Sequence, residues 1–379
     1  MIYLDHAASA PMLPQALDAQ LSAAREAFAN PGAVHRAASI PGRLIRQGRK
    51  SIAKLLDFPD NGLFFTSGGS ESNNWAIKMT ALASRDRGRH IIVGSTEHKS
   101  VLNAAKALEP LGFTVTALPV SPEGYIIPEV LESAIRPETL LISLQSVNNE
   151  TGIIQDVKTF SLIAKRHGIL YHCDAVQSFG HVELPLHLAD LVTISAHKLG
   201  GPAGVGALAI RPGTPILPLI HGGGQEFGLR SGTENAPGIA GFAAACETVF
   251  ANLKEEAARQ RQLQTLLLEK LQTAVPSLRV NGSGERAPHI LNLGFPGLSG
   301  EELLMRLDLL GICISSGAAC AARDSRPSHV LLAMGLSETE AKESVRISIG
   351  CSTTQDEMEQ AADAIISIYQ KYAQPARRR

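Results

Sequence analysis

Cysteine is scarce in this chain, with five residues (Cys173, Cys246, Cys313, Cys320 and Cys351) among 379. The number is odd and no two form a CxxC pair, which excludes a disulfide framework and a four-thiolate zinc site, so no metal is expected. A reducing compartment is the simplest setting. An excess of charge is lacking too: 35 Lys and Arg stand against 36 Asp and Glu, a net charge of -1. That balance leaves no electrostatic footprint for a nucleic-acid or membrane-surface partner. The closing Arg377-Arg378-Arg379 run reads as a solvated tail. No apolar run approaches the ~20 residues needed to span a bilayer. Met1 to Ala10 contains Asp5 and has no basic segment ahead of an apolar run, so no secretory signal is visible. The expectation is a soluble, cytoplasmic protein without repeats or low-complexity segments.

What is present is strand-helix alternation. Leu63–Thr66, His90–Val93, Phe113–Val115, Leu140–Ser143, Ile169–Tyr171 and Leu191–Ile194 read as buried strands, with helices over Ser70–Ala83 and Val157–His167 between them. This implies an α/β domain with a mostly parallel sheet, in which ligands gather at the carboxyl ends of the strands. After the Pro- and Gly-rich stretch Arg211–Gly224, Ala251–Ala274 reads as one long amphipathic helix. Beyond it, strands at Ile290–Leu293 and Val345–Ile349 mix with helices at Glu301–Leu309 and at the end. Thr354 and Glu357 have capping-box spacing before that last helix. The expected division is a large domain over 14–250 and a smaller α+β domain from 1–13 and 251–379.

Several residues at strand ends suit chemistry. Lys198, in Ser195-Ala196-His197-Lys198, can project into the crevice or lie in solvent. Lysine amines form Schiff bases with carbonyl cofactors, pyridoxal phosphate above all. Asp174, in His172-Cys173-Asp174-Ala175-Val176-Gln177, can pair with a protonated pyridine nitrogen or cap the next helix. The turn Thr66-Ser67-Gly68-Gly69-Ser70-Glu71 suits a phosphate, although a tight connection would read the same; no Walker A ending follows. His98 can stack on a planar ring, move a proton, or sit as a satisfied histidine at a helix start. Asn148-Asn149-Glu150-Thr151-Gly152 can donate amide hydrogen bonds or form a plain turn. Cys320 lies among small and polar residues with Arg323 nearby, a setting that suits a reactive thiol as well as an idle loop cysteine. Arg346, on a strand pattern, can clamp a carboxylate or face solvent.

Taken in order, these segments resemble the cysteine desulfurases, within the class V aminotransferase branch of fold-type-I pyridoxal-phosphate enzymes. The match runs from Tyr3-Leu4-Asp5-His6-Ala7-Ala8 through Glu97-His98-Lys99 to Gly222-Gly223-Gly224-Gln225-Glu226 and Arg230-Ser231-Gly232-Thr233-Glu234-Asn235. It ends with Ser315-Ser316-Gly317-Ala318-Ala319-Cys320 before Pro327-Ser328-His329-Val330, on a loop at about 315–330. The resemblance implies that Lys198 carries the cofactor, His98 stacks on its ring, Asp174 pairs with the ring nitrogen and Gln177 bonds the phenolic oxygen. Gly69, Ser70, Ser195 and His197 would hold the phosphate, with Thr233 reaching the phosphate of a neighbouring subunit in a homodimer. Asn149, also expected to contact the cofactor, and Arg346 would bind the carboxylate of L-cysteine. Cys320 would take the sulfur as a persulfide, leaving alanine, and pass it to an acceptor such as an iron-sulfur scaffold. Two segments depart from the family pattern: Ala321-Ala322-Arg323-Asp324-Ser325-Arg326 is not Ser/Thr-rich, and Pro202-Ala203-Gly204 lacks a lysine. Competing readings are a selenocysteine lyase, another class V transaminase or lyase, and a catalytically idle scaffold.

Overall fold

The computed structural model describes residues 1–316 and 326–373. Its strands, in chain order, are β1 (Ile2–Tyr3), β2 (Leu63–Thr66), β3 (His90–Gly94), β4 (Thr114–Leu118), β5 (Thr139–Gln145), β6 (Leu170–Asp174), β7 (Leu191–Ser195) and β8 (Gly206–Ile210). These are followed by β9 (Arg279–Val280), β10 (Ile290–Gly294), β11 (Ile312–Cys313) and β12 (Ser344–Ser348). Seven of them form the central sheet in the order β2-β8-β7-β6-β5-β3-β4. Within it β8 alone runs antiparallel to its neighbours. Every residue of β3, β5, β7 and β8 is buried, because helices cover both faces; only the edge strand β4 has exposed residues, Thr114 and Ala117.

This topology decides the location of the site. Strands β2, β3, β5, β6 and β7 point the same way, so their carboxyl ends open on one edge of the sheet. Each candidate residue from Gly69 to Lys198 lies at or just past one of those ends.

Helices Pro14–Glu26, Ser39–Leu56 and Ala236–Ala251 cover the sheet. They approach closely at Gly48, where a Cβ would fall 2.8 Å from Ile239 Cγ2. The expected helix over Ser70–Ala83 is continuous but holds a π-helical stretch, Trp75–Met79, around the fully buried Trp75. The expected Ala251–Ala274 helix begins at Leu253, after a break at Asn252 that ends the helix before it.

A second apolar cluster joins Leu4 to Leu263, Leu267, Leu293, Val345, Met358 and Ile365. It lies between the helices Leu253–Ala274, Gly300–Leu309 and Gln355–Tyr372 and the antiparallel sheet β12-β10-β9. The Thr354–Glu357 capping box is formed in both directions. The start of the chain belongs here, since β1 pairs with β11 and Leu4 is fully buried.

Candidate active site

The buried run of β7 ends in a tight turn, Ala196–Lys198, that carries Lys198 to the crevice. Gly200 has φ +80°, and a Cβ on Gly201 would sit 2.9 Å from that of Ala196, so this bend requires both glycines. The Lys198 amine donates to the carbonyls of Ala7 (2.7 Å) and Ala8 (2.8 Å). Gln177 Nε2 donates to the same Ala7 carbonyl at 2.9 Å. His197 Nδ1 lies 3.2 Å from Ser9 Oγ, and burial, with Lys198 adding to it, pulls the imidazole down to about 4. Residues 5–10, an extension of the second cluster, therefore run directly over the lysine.

Asp174 closes β6, one strand from Lys198. Its Oδ1 accepts the Val176 backbone N–H at 3.0 Å and its Oδ2 accepts Asn73 Nδ2 at 2.7 Å. Burial pushes this carboxyl above its ordinary range, while those donors, His98 and Lys198 pull it back. His98 caps the helix Lys99–Lys106, its Nδ1 accepting the Ser100 N–H. Burial holds its imidazole below the usual range against the opposing pull of Asp174. Beside them Glu97 is fully buried, and burial drives its carboxyl well up.

The turn after β2 is packed so closely that only glycine fits at its bends. Gly68 has φ +150°, a Cβ on Gly69 would fall 2.8 Å from Val176 Cγ2, and one on Gly206 would fall 2.7 Å from Gly68 Cα. Glu71 braces the turn by accepting Ser67 N–H at 2.9 Å and Arg230 Nε at 2.8 Å. Burial raises the Glu71 carboxyl, but Arg230 and Ser67 outweigh it and hold it below the usual range. Ser195 packs against the turn, and its Oγ is buried with no hydrogen-bond partner; Gln177 Oε1 is in the same state. Orphaned polar atoms of this kind call for a ligand or water. A hydroxyl facing a glycine turn, an amine and a buried carboxylate suit the phosphate, aldehyde and ring nitrogen of pyridoxal phosphate. The residues fit that cofactor. Ser70 and Thr233 are exposed at the surface, outside this buried cluster.

Arg346 lies inside β12 with its side chain 2% exposed. It donates to the backbone carbonyl of Asn149 at 2.8 Å and to Asp5 Oδ1 at 2.7 Å, and its Nε is buried without a partner. It thus brings the two expected carboxylate-binding residues together through the main chain of Asn149. Just after the described gap, Ser328 bonds Glu150 and His329 Nε2 meets the Glu97 carbonyl at 3.0 Å, tying the second cluster to the strand ends. Cys320 falls outside the described residues. Of the described thiols, burial pushes Cys173 up to about 12 and raises Cys246 and Cys351, which makes these three poor nucleophiles.

Sequence reasoning gave no role to Asn73, Ser100, Glu71 or the carbonyls of Ala7 and Ala8. Asn73 and Ser100 sit on helices, and their residue types do not say which side chain each one meets. The carbonyls are backbone and leave no trace in residue identity.

The profile of the family described as Aminotransferase class-V matches residues 2–361. A protein named cysteine desulfurase IscS from Clostridium botulinum (strain Hall) is 39% identical over 372 residues, covering 97% of this chain and 94% of that one. The solved structure of a NifS-like protein superposes with a TM-score of 0.91 at 35% identity, covering 98% of this chain and 99% of that one. A structure titled SspA in complex with cysteine aligns with a TM-score of 0.82 at 37% identity, over 92% of this chain and 99% of the other. With one profile running through both apolar clusters and relatives alike along almost their whole length, the chain belongs to the class-V aminotransferase family, on its cysteine desulfurase branch.

Proposed function

We propose that the crevice at the strand ends binds pyridoxal phosphate on Lys198 and L-cysteine on Arg346, and that Cys320 receives the substrate sulfur. The enzyme is a pyridoxal-phosphate-dependent cysteine desulfurase that converts L-cysteine to L-alanine. One observation carries the site assignment: the amine of Lys198 and the carboxylate of Asp174 stand at adjacent strand ends, beside the unpartnered hydroxyl of Ser195. When bound, the cofactor supplies the electron sink that lets a bond at the substrate Cα break.

The chain's own residues do the rest. Gly69, Ser70, Ser195 and His197 hold the phosphate, with the neutral His197 ring available to donate a hydrogen bond. Asp174 would hold a positive charge at the ring nitrogen, His98 would stack on the ring, and Gln177 would serve its phenolic oxygen. Arg346 and Asn149 orient the substrate carboxylate. Lys198 moves the Cα proton, its Nζ steadied by the carbonyls of Ala7 and Ala8. The Cys320 sulfur then bonds the substrate sulfur as the carbon–sulfur bond breaks. The carbon fragment takes up a proton and leaves as alanine, and the persulfide stays on the protein.

The finer reading is a cytoplasmic homodimer in which Thr233 serves the partner's phosphate, passing sulfur to an acceptor such as an iron-sulfur scaffold. The exposure of Thr233, on a segment braced by Arg230 and Glu71, supports this arrangement. The separate apolar clusters support the division into 14–250 and 1–13 with 251–379.

The decisive experiment incubates the holoenzyme with L-cysteine, measures alanine and looks by mass spectrometry for one added sulfur on the Cys320 peptide. Cys320→Ala should keep the cofactor's visible absorption and lose sulfide release, while Lys198→Ala should lose the absorption. Undiminished sulfide release from Cys320→Ala refutes the thiol mechanism.

A further inference from the structure

Four side chains below the crevice form a continuous hydrogen-bonded line. Ser100 Oγ lies 2.7 Å from His98 Nδ1, Asn73 Nδ2 lies 2.9 Å from Ser100 Oγ, and the same nitrogen lies 2.7 Å from Asp174 Oδ2. The donors in this line can be assigned from one end. The Ser100 backbone N–H donates to His98 Nδ1 at 3.1 Å, so Nδ1 carries a lone pair. The Ser100 hydroxyl must therefore donate to that lone pair as well. Its oxygen is left to accept from Asn73, which puts the NH2 end of the amide toward Ser100. The second N–H of that group meets Asp174 Oδ2, while Val176 N–H meets Oδ1. Donors on both oxygens select the ionised carboxylate, because a protonated acid would turn one O–H toward a donor.

We propose that Ser100 and Asn73 are positioning residues which transmit the proton order of the helix start at Lys99 to Asp174, holding it as an acceptor beneath the ring and leaving His98 with its proton on Nε2. The inference rests on the cofactor assignment above and names two residues that the assignment does not use. The line has opposition to overcome. Burial favours the protonated acid, Glu97 faces Asp174 from the end of β3, and the Cys173 thiol adjoins it on β6. On the favourable side stand His98 and Lys198. With the hydroxyl removed, the Asn73 amide is free to rotate and offer its oxygen to Asp174, which selects the protonated acid. Asn73 Oδ1 is buried and unpartnered, so no hydrogen bond at the oxygen resists this turn, and the turned amide exchanges its N–H bond to Asp174 for an O–H bond from it.

The test is a pH titration of the holoenzyme's visible band without substrate: its wavelength follows the protonation of the Schiff-base nitrogen on Lys198, whose pKa falls when the ring nitrogen is positively charged and rises when Asp174 no longer holds that charge. Ser100→Ala should move the acid-side transition upward by about one pH unit, the size of one hydrogen bond to a charged group. Asn73→Leu should move it similarly, the double variant should move it no further, and Ser100→Thr should restore it. Nitrogen-15 spectra of histidine-labelled protein should show His98 protonated on Nε2 in the wild type. A Ser100→Ala transition that superposes on the wild type overturns the proposal, as do additive shifts in the double variant. If the line fails while Lys198→Ala still abolishes the band, the cofactor assignment stands. If the wild type acquires no band with added cofactor, that assignment is what has failed.

Discussion

Arg346→Lys separates substrate binding from the rest of the mechanism. The guanidinium is 2% exposed and spends one nitrogen on the Asn149 carbonyl and one on Asp5, which leaves its buried Nε edge to face a carboxylate. Lysine keeps the charge that balances Asp5. It cannot serve both existing partners and still present a planar fork. The loss is therefore about one charge-assisted hydrogen bond, roughly 2 kcal/mol, or about 30-fold in kcat/KM. The missing bond serves a part of the substrate remote from the reacting sulfur, so the change should appear chiefly in KM. Initial rates of alanine formation against L-cysteine measure this, with the visible band as the control for cofactor loading. Cysteamine, which has no carboxylate, supplies the internal check, because wild type and variant should release sulfide from it equally. A KM for L-cysteine within twofold of the wild type would refute the reasoning. A loss of equal size on cysteamine would show that Arg346 acts on the fold and not on the substrate.

Glu71→Gln should loosen the phosphate turn, since the amide keeps the shape but lets go of Arg230 and weakens the bond to Ser67. The groups are partly exposed, so the cost is about 1 kcal/mol and the cofactor should dissociate about fivefold more readily in equilibrium dialysis. Unchanged retention would mean that the turn is held by its glycines alone. Stability should also fall in acid. Burial keeps His172 down at about 3 and His181 at about 4, whereas the unfolded chain takes up those protons near pH 6.5. Stability is therefore lost as pH drops from about 6.5 toward 4, by up to about 1.4 kcal/mol per pH unit for each histidine. Urea midpoints across that range should follow this slope, and His181→Phe should flatten it; a midpoint indifferent to pH would contradict the burial argument.

The legible part of the fold was the buried parallel sheet. Runs such as His90–Val93 and Leu191–Ile194 announce themselves because both faces of those strands are covered, and turn residues follow them. Strand β8, Gly206–Ile210, escaped notice because three of its five residues are glycine or alanine and Ile210 alone is β-branched, and its Gly206 packs against the glycine turn where nothing larger fits. Helices Pro14–Glu26 and Ala236–Ala251 were not read from the sequence either. The second is apolar around most of its circumference, which erases the stripe that marks a surface helix. In the site, Lys198, Asp174 and His98 were legible because they stand at strand ends in recognisable company. Asn73 and Ser100 were not, because their importance lies in hydrogen-bond direction, and direction depends on coordinates.

The arm at residues 5–10 has a consequence for how the molecule comes into being. Asp5 meets Arg346 across 341 positions of sequence, and the Ala7 N–H meets Ser348 across the same span. These residues are thus among the last to find their places, since their partners on β12 are made 341 positions later. The sheet and its covering helices can consolidate earlier, with the lysine in position but its two carbonyl partners still waiting. A nascent chain halted before β12 would hold most of the pocket and lack its roof.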